Sequence, residues 1–151
     1  MMKPLDAMDT VALLDIVKAI EKVMHKINPH IIYTHHSGDL NIDHVRTARA
    51  VLTACRPLPG ANIEALYGFE VLSSTEWAGP SSGHAFCPNH FVDISDDFAT
   101  KMKSIDAYRL EMRTFPHPRS NEAIEAQAIL RGAQAGVHKA EAFTTIRTIQ
   151  K

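Results

Sequence analysis

Several common protein classes are excluded by what this sequence lacks. Its 151 residues hold two cysteines, Cys55 and Cys87, with no CxxC pair. That rules out a disulfide framework and the paired-thiol zinc modules, and it fits two small core residues in a reducing compartment. No run approaches the roughly 18 consecutive apolar residues that a membrane-spanning helix needs. The 16 Lys and Arg nearly cancel the 17 Asp and Glu, leaving a formal net charge of -1 and no dense basic run. No long-range field therefore favours nucleic acid or an anionic membrane surface. The opening Met1-Met2-Lys3-Pro4 leads into an amphipathic pattern, which argues against a signal peptide. A cytoplasmic protein is expected.

What is present is ordinary globular material: 45% apolar and 22% charged residues, enough for one domain with a real core. Leu13, Val17, Ile20, Met24 and Ile27 recur at helical spacing, with Asp9 or Thr10 as candidate cap and Pro29 as the stop. Ile31 to Thr34 reads as a short buried strand. A second helix carries His44, Ala48, Val51, Leu52 and Cys55 and stops before Pro57. Ala65 to Val71 and Phe91 to Ile94 are the next strand candidates, separated by an irregular stretch from Ser73 to His90. Ser95 is read as the cap of a helix whose Phe98, Met102, Ile105 and Met112 share one side. Phe115 to Arg119 is a proline-broken turn, and Ser120 caps a last helix to about Ala135. Phe143 to Ile149 is open between strand and coil.

Early alternation of helix and strand points to an α/β sheet of mainly parallel strands with flanking helices. Such folds usually open on a strand, whereas this chain opens on a helix and offers about three strands. The sheet is expected to be incomplete.

The densest polar cluster runs from Thr34-His35-His36 through Asp39 and Asn41 to Asp43-His44. It lies where a strand ends and a helix begins, which is where open α/β sheets bind ligands. His44 falls in the first helical turn, where the positive end of the helix dipole disfavours an imidazolium and so favours the neutral, metal-binding ring. Asp43 or Asp39 could orient that ring. The bland alternative is that Asn41 and Asp43 are helix caps and that His35 and His36 are hydrogen-bonded loop residues. No HExxH-like spacing decides between the two readings.

Pro29-His30-Ile31-Ile32-Tyr33-Thr34-His35-His36 through Asp43-His44 resembles the second signature of the LmbE/PIG-L de-N-acetylase family. Phe69-Glu70-Val71-Leu72-Ser73-Ser74-Thr75-Glu76-Trp77, Phe91-Val92-Asp93-Ile94, Phe115-Pro116-His117-Pro118-Arg119-Ser120, Arg131-Gly132 and Ala140-Glu141-Ala142-Phe143 follow in the family's order. Each motif is weak alone, but the ordered set covers nearly the whole chain. The resemblance implies an incomplete Rossmann-like, LmbE-like sheet, with residues 1–151 forming one N-terminally truncated domain. It also implies a zinc-dependent hydrolase removing N-acetyl groups from amino-sugar conjugates. Its metal is held by two histidines and an aspartate, and the third of these ligands maps onto His44, beside Asp43.

Two departures follow. The family's His-Pro-Asp-Asp motif, source of two ligands and the general base, is absent; His117-Pro118 is followed by Arg119. Where many members have a histidine three residues before the last ligand, this chain has Asn41, which can donate a hydrogen bond but carries no charge. The resemblance places Asp43 and Asn41 as catalytic helpers, His44 as metal ligand, and Glu70, Trp77 and Arg119 at the substrate, although a lone Trp is more often core and such an Arg more often structural. His84, His90 and His138 carry no pattern. Zinc binding by this chain alone is expected to be weak or absent. Three readings stand: a hydrolase completed by a missing N-terminal part, with a homo-oligomer or association with that part expected; a non-catalytic remnant or interaction subunit; or an unrelated metal enzyme using His35, His36 and His44.

Overall fold

Leu13–Ile27 forms helix α1 because its apolar residues make a continuous stripe, from Ile16 and Val17 through Ile20 to Met24. It ends at Asn28, whose left-handed backbone (φ 51°) lets its N–H bond to the Met24 carbonyl, a conformation that asparagine tolerates well. The start differs from expectation. Asp9 and Thr10 are held in a short 3-10 turn, Met8–Thr10, and Ala12 occupies the cap position without a side-chain bond. The computed structural model describes residues 8–79 and 85–150; Met1 to Pro4, His84 and the centre of the Ser73 to His90 stretch lie outside them.

After α1 come β1 (Ile31–His35), α2 (Ile42–Ala54), β2 (Ala65–Phe69), a 3-10 turn at Glu76–Ala78, β3 (His90–Asp93), α3 (Phe98–Asp106), α4 (Asn121–Ala135) and β4 (Ala140–Thr148). The strand order is β1-β2-β4-β3, with β1 outermost. Two compact units share β4: one runs through Phe86 and resumes at Thr144, and the other spans Cys87–Phe143.

In the first unit β1 and β2 are parallel, with Ile32 opposite Leu66 and His35 opposite Phe69. Alternation along the strands sends Ile32 and Leu66 to the helix side. There they pack with Ile20 and Met24 of α1, Val51 of α2, Cys55 and Ile63. Ile16 and Val17 meet Ala50 in an adjoining cluster. Leu66 and Cys55 are fully buried. At Gly68 an added Cβ would lie 2.7 Å from Thr144 Oγ1, so the absence of a side chain lets β4 come close. Thr144 sits beside Gly68 and Ile149 donates to the Glu64 carbonyl at 2.8 Å, so this half of β4 runs against β2. The sheet is mixed, and the expectation of mainly parallel strands is corrected here. The stretch left open, Phe143 to Ile149, is strand.

In the second unit β3 and the first half of β4 are antiparallel, with His90 opposite Phe143 and Asp93 opposite Ala140. Ile94, Phe98 and Ala128 form its core with Met102. Lys139 Nζ lies 3.9 Å above the Phe98 ring and pairs with Glu125 at 2.7 Å. Ser95 does not cap α3: its hydroxyl bonds the Asp93 carboxylate, and Asp97 stands at the cap position. The helix stops at Asp106, leaving Met112 outside, because three-residue turn bonds such as Tyr108 N–H to the Ile105 carbonyl take over. Ser120 caps α4 as expected, accepting from Ala123 N–H at 3.1 Å, and Gly136 ends it at φ 77°. Among the described residues no helix is long and apolar enough to cross a membrane.

Candidate functional site

The carboxyl end of β1 and the first turn of α2 bring His35, Asp39 and His44 together. Asn41 makes this possible by starting α2: its side-chain oxygen accepts from Asp43 N–H at 2.9 Å, which fixes the first turn and the direction of His44. Asp39 is buried. One carboxylate oxygen accepts from Asn41 N–H at 2.8 Å, from the Ser74 hydroxyl, and faces His44 Nδ1 at 3.1 Å. The other accepts from the Thr75 hydroxyl at 2.7 Å. Burial alone would raise the Asp39 pKa, but the bonds from Ser74, Thr75 and Asn41, with the His44 ring nearby, hold it below the ordinary carboxylate value.

A carboxylate can only accept, so His44 Nδ1 carries the proton in this pair, and a neutral ring would present its lone pair at Nε2. A carboxylate that fixes the tautomer and direction of an imidazole is the usual support for a metal-binding or proton-transferring histidine. His35 stacks on His44 with centroids 4.1 Å apart and planes 16° from parallel, and Phe69 touches its other side at 4.7 Å. Burial first, then the neighbouring His44, push the His35 pKa down to about 4, against a smaller upward pull from Asp39. His35 Nδ1 is buried without a hydrogen-bond partner, as is Asp43 Oδ1.

The other candidates are spread out. Asp43 does not bond His44; Asp39 does. His36 is buried against the edge of Phe86 at 5.3 Å, so His35, His36 and His44 do not converge. Glu70 is half-buried just past β2, and Trp77 is 53% exposed in the Glu76–Ala78 turn. Arg119 belongs to the second unit and pairs with Glu111 at 2.8 Å. Among the described residues no three His, Cys, Asp or Glu side chains could hold a metal ion. The residues present therefore do not amount to a complete zinc site, which takes three protein ligands when catalytic.

Sequence reasoning gave Asp39 only as an alternative to Asp43, and named Ser74 and Thr75 within a motif without giving them a role. Gly38-Asp39-Leu40-Asn41 did carry a signal, since an aspartate bonding the N–H two residues on is a common turn. Ser74 and Thr75 reach Asp39 from 35 and 36 residues away, and no local pattern predicts that.

Comparison with known proteins places this geometry on a known fold. The chain is similar to the N,N'-diacetylchitobiose deacetylase of Pyrococcus horikoshii, with TM-score 0.64 and 18% identity over 91% of this chain and 53% of that one. It is similar to the A40926 pseudoaglycone deacetylase Dbv21, with TM-score 0.62 and 20% identity over 97% of this chain and 62% of that one. It is also similar to the 4-carboxy-2-hydroxymuconate hydratase of Pseudomonas putida KT2440, with TM-score 0.65 and 21% identity over 95% of this chain and 63% of that one. No family model and no curated protein matches the sequence. At these identities the likeness is one of fold: the LmbE-like α/β fold that the sequence motifs imply. The chain spans between 53% and 63% of the length of these neighbours.

Proposed function

We propose that this chain is the His44-bearing, C-terminal portion of a zinc-dependent hydrolase that removes N-acetyl groups from amino-sugar conjugates of the N-acetylglucosamine type. The observation that carries this reading is the buried Asp39 holding His44 at 3.1 Å at the carboxyl end of β1. Two neighbours in fold are deacetylases, one acting on N,N'-diacetylchitobiose. The third is a hydratase, so the fold alone does not fix the reaction and the weight falls on the site.

The chain's own residues have limited roles in this reading. His44 would offer Nε2 to the metal, with Asp39 fixing its tautomer. Asp43, whose Oδ1 is buried without a partner, stands next to His44 in the chain and tunes the site. Asn41 contributes an uncharged amide to the acyl oxygen, and Glu70 and Trp77 contact the sugar conjugate. Bound zinc would supply a Lewis acid and an acidified water. The remaining ligands and the general base come from the part of the site that these 151 residues do not contain. The competing reading is a non-catalytic interaction subunit with the same fold, favoured by the incomplete donor set.

Acetate release from N-acetylglucosamine conjugates tests the proposal. The isolated chain is expected to release none above background even with added zinc, since removing members of a catalytic unit costs orders of magnitude. Joined to a segment supplying His-Pro-Asp-Asp it should gain activity, and His44→Ala should abolish it. Zinc-dependent turnover by the 151-residue chain itself, lost in His44→Ala, would overturn the view that the site is shared. No turnover in the joined form would favour the interaction subunit.

A further inference from the structure

We propose that Glu76 is a positioning residue for His44: it locks the turn after β2 in the shape from which the Ser74 and Thr75 hydroxyls hold Asp39, and through Asp39 the His44 ring.

The turn runs from Val71 to Glu76, and its strained point is Ser73, whose backbone is left-handed at φ 67°. Asn28 shares that conformation at the end of α1, but asparagine takes it readily and serine does not. A residue stays in so sparsely populated a region only where its surroundings enforce it. Glu76 supplies that enforcement. One of its carboxylate oxygens accepts from Ser73 N–H at 2.6 Å, and the other accepts from Ser74 N–H at 3.3 Å. Ser73-x-x-Glu76 thus forms the backward arm of a capping box, closed on the short 3-10 turn Glu76–Ala78 in place of an α-helix.

The effect runs inward from there. Glu76 is exposed, whereas Ser74 and Thr75 are buried. The Thr75 hydroxyl accepts from Val71 N–H at 2.7 Å, so its one proton is directed to Asp39 Oδ2, also at 2.7 Å. The Ser74 hydroxyl accepts from Asn41 N–H at 3.3 Å and gives its proton to Asp39 Oδ1, the oxygen that faces His44 Nδ1. Were Ser73 to relax to negative φ, the two residues after it would swing away from Asp39. The carboxylate would keep only the Asn41 N–H bond among these three and would be free to rotate, releasing His44. An ordinary surface cap, by contrast, would steady the 3-10 turn and act no further. That His44 serves a metal rests on the proposed function; the positioning does not.

The test is the imidazole nitrogen spectrum of the 151-residue chain, recorded without metal at about pH 8.5, where histidine is ordinarily neutral and its two tautomers are distinguishable. His44 should show a single tautomer, protonated on Nδ1. Glu76→Ala should give a mixture of both tautomers with an unchanged circular dichroism spectrum. Glu76→Gln, which keeps an oxygen for Ser73 N–H, should restore the single form. Ser73→Gly, for which positive φ carries no steric cost, should also keep it, while Ser73→Val, whose branched side chain resists that backbone, should give the mixture. Glu125→Ala removes an exposed ion pair in the second unit and should change nothing at His44. A single Nδ1-protonated ring in Glu76→Ala, whatever its loss of stability, overturns the proposal; should that variant not fold, the same result in Ser73→Val does so. A mixture in the unmodified chain or in Glu125→Ala overturns it as well. Acetate release is not the readout, so the expected tautomers in a chain with no part in hydrolysis would sink the hydrolase reading and leave the positioning standing.

Discussion

Replacing Asp39 by alanine would leave the Ser74 and Thr75 hydroxyls without their acceptor, leave Asn41 N–H only its longer bond to Ser74 Oγ at 3.3 Å, and free His44 to turn. Each buried donor left without a partner costs about 1–3 kcal/mol, with some relaxation shared among neighbours. Asp39→Ala should therefore lose more than about 2 kcal/mol in chemical denaturation; a loss under about 0.5 kcal/mol would show that the carboxylate is not the hub described. Acid should act on the same cluster in two stages. His35 is held below its ordinary 6.5, at about 4, so the unfolded chain takes up its proton first. Its contribution is fully present above pH 6.5 and is lost as pH falls toward 4, by at most about 1.4 kcal/mol per pH unit and less because the ring is only half-buried. Asp39, also lowered, contributes above pH 3.8 and loses that contribution as pH falls further. Stability measured from pH 7 to 3 should decline steadily, and His35→Phe should remove the upper part of the decline; a flat profile between pH 7 and 5 contradicts the assignment.

At the scale of elements, caps and periodicity made much of the fold legible. Ser120 was readable as a cap because the apolar pattern of α4 begins just after it, and Ser120→Ala should cost about 1 kcal/mol of thermal or denaturant stability. Retention of full stability would mean that Ala123 N–H finds another acceptor. β1, β2 and β3 were found to within a residue or two at most ends, since Ile, Val, Tyr and Phe suit a pleated, half-buried surface. β4 was harder: Ala140 and Ala142 have little strand preference, and their burial, at 2% and 5% exposed, is a tertiary fact. Its direction was illegible for the same reason, because the bond from Ile149 to Glu64 spans most of the chain. The helix start at Asn41, with His44 in its first turn, was readable from the capping pattern. Asp39 was ambiguous with Asp43 because both lie close to His44 in sequence, and only the fold shows which carboxylate turns inward.

Taken as a whole molecule, the chain has an ordinary composition and near-zero net charge, so its identity rests on placement rather than on bulk properties. The neighbours make the same point, since one fold carries deacetylases and a hydratase. β4 adds something of its own. Ala140–Phe143 is paired to β3 in one unit, and from Thr144 onward the same strand lies beside β2 in the other. That second half leaves no room for a methyl at Gly68, where a Cβ would stand 2.7 Å from Thr144 Oγ1. Gly68→Ala should therefore lower the melting temperature by several degrees. An unchanged melting temperature would mean that Thr144 swings aside without loss.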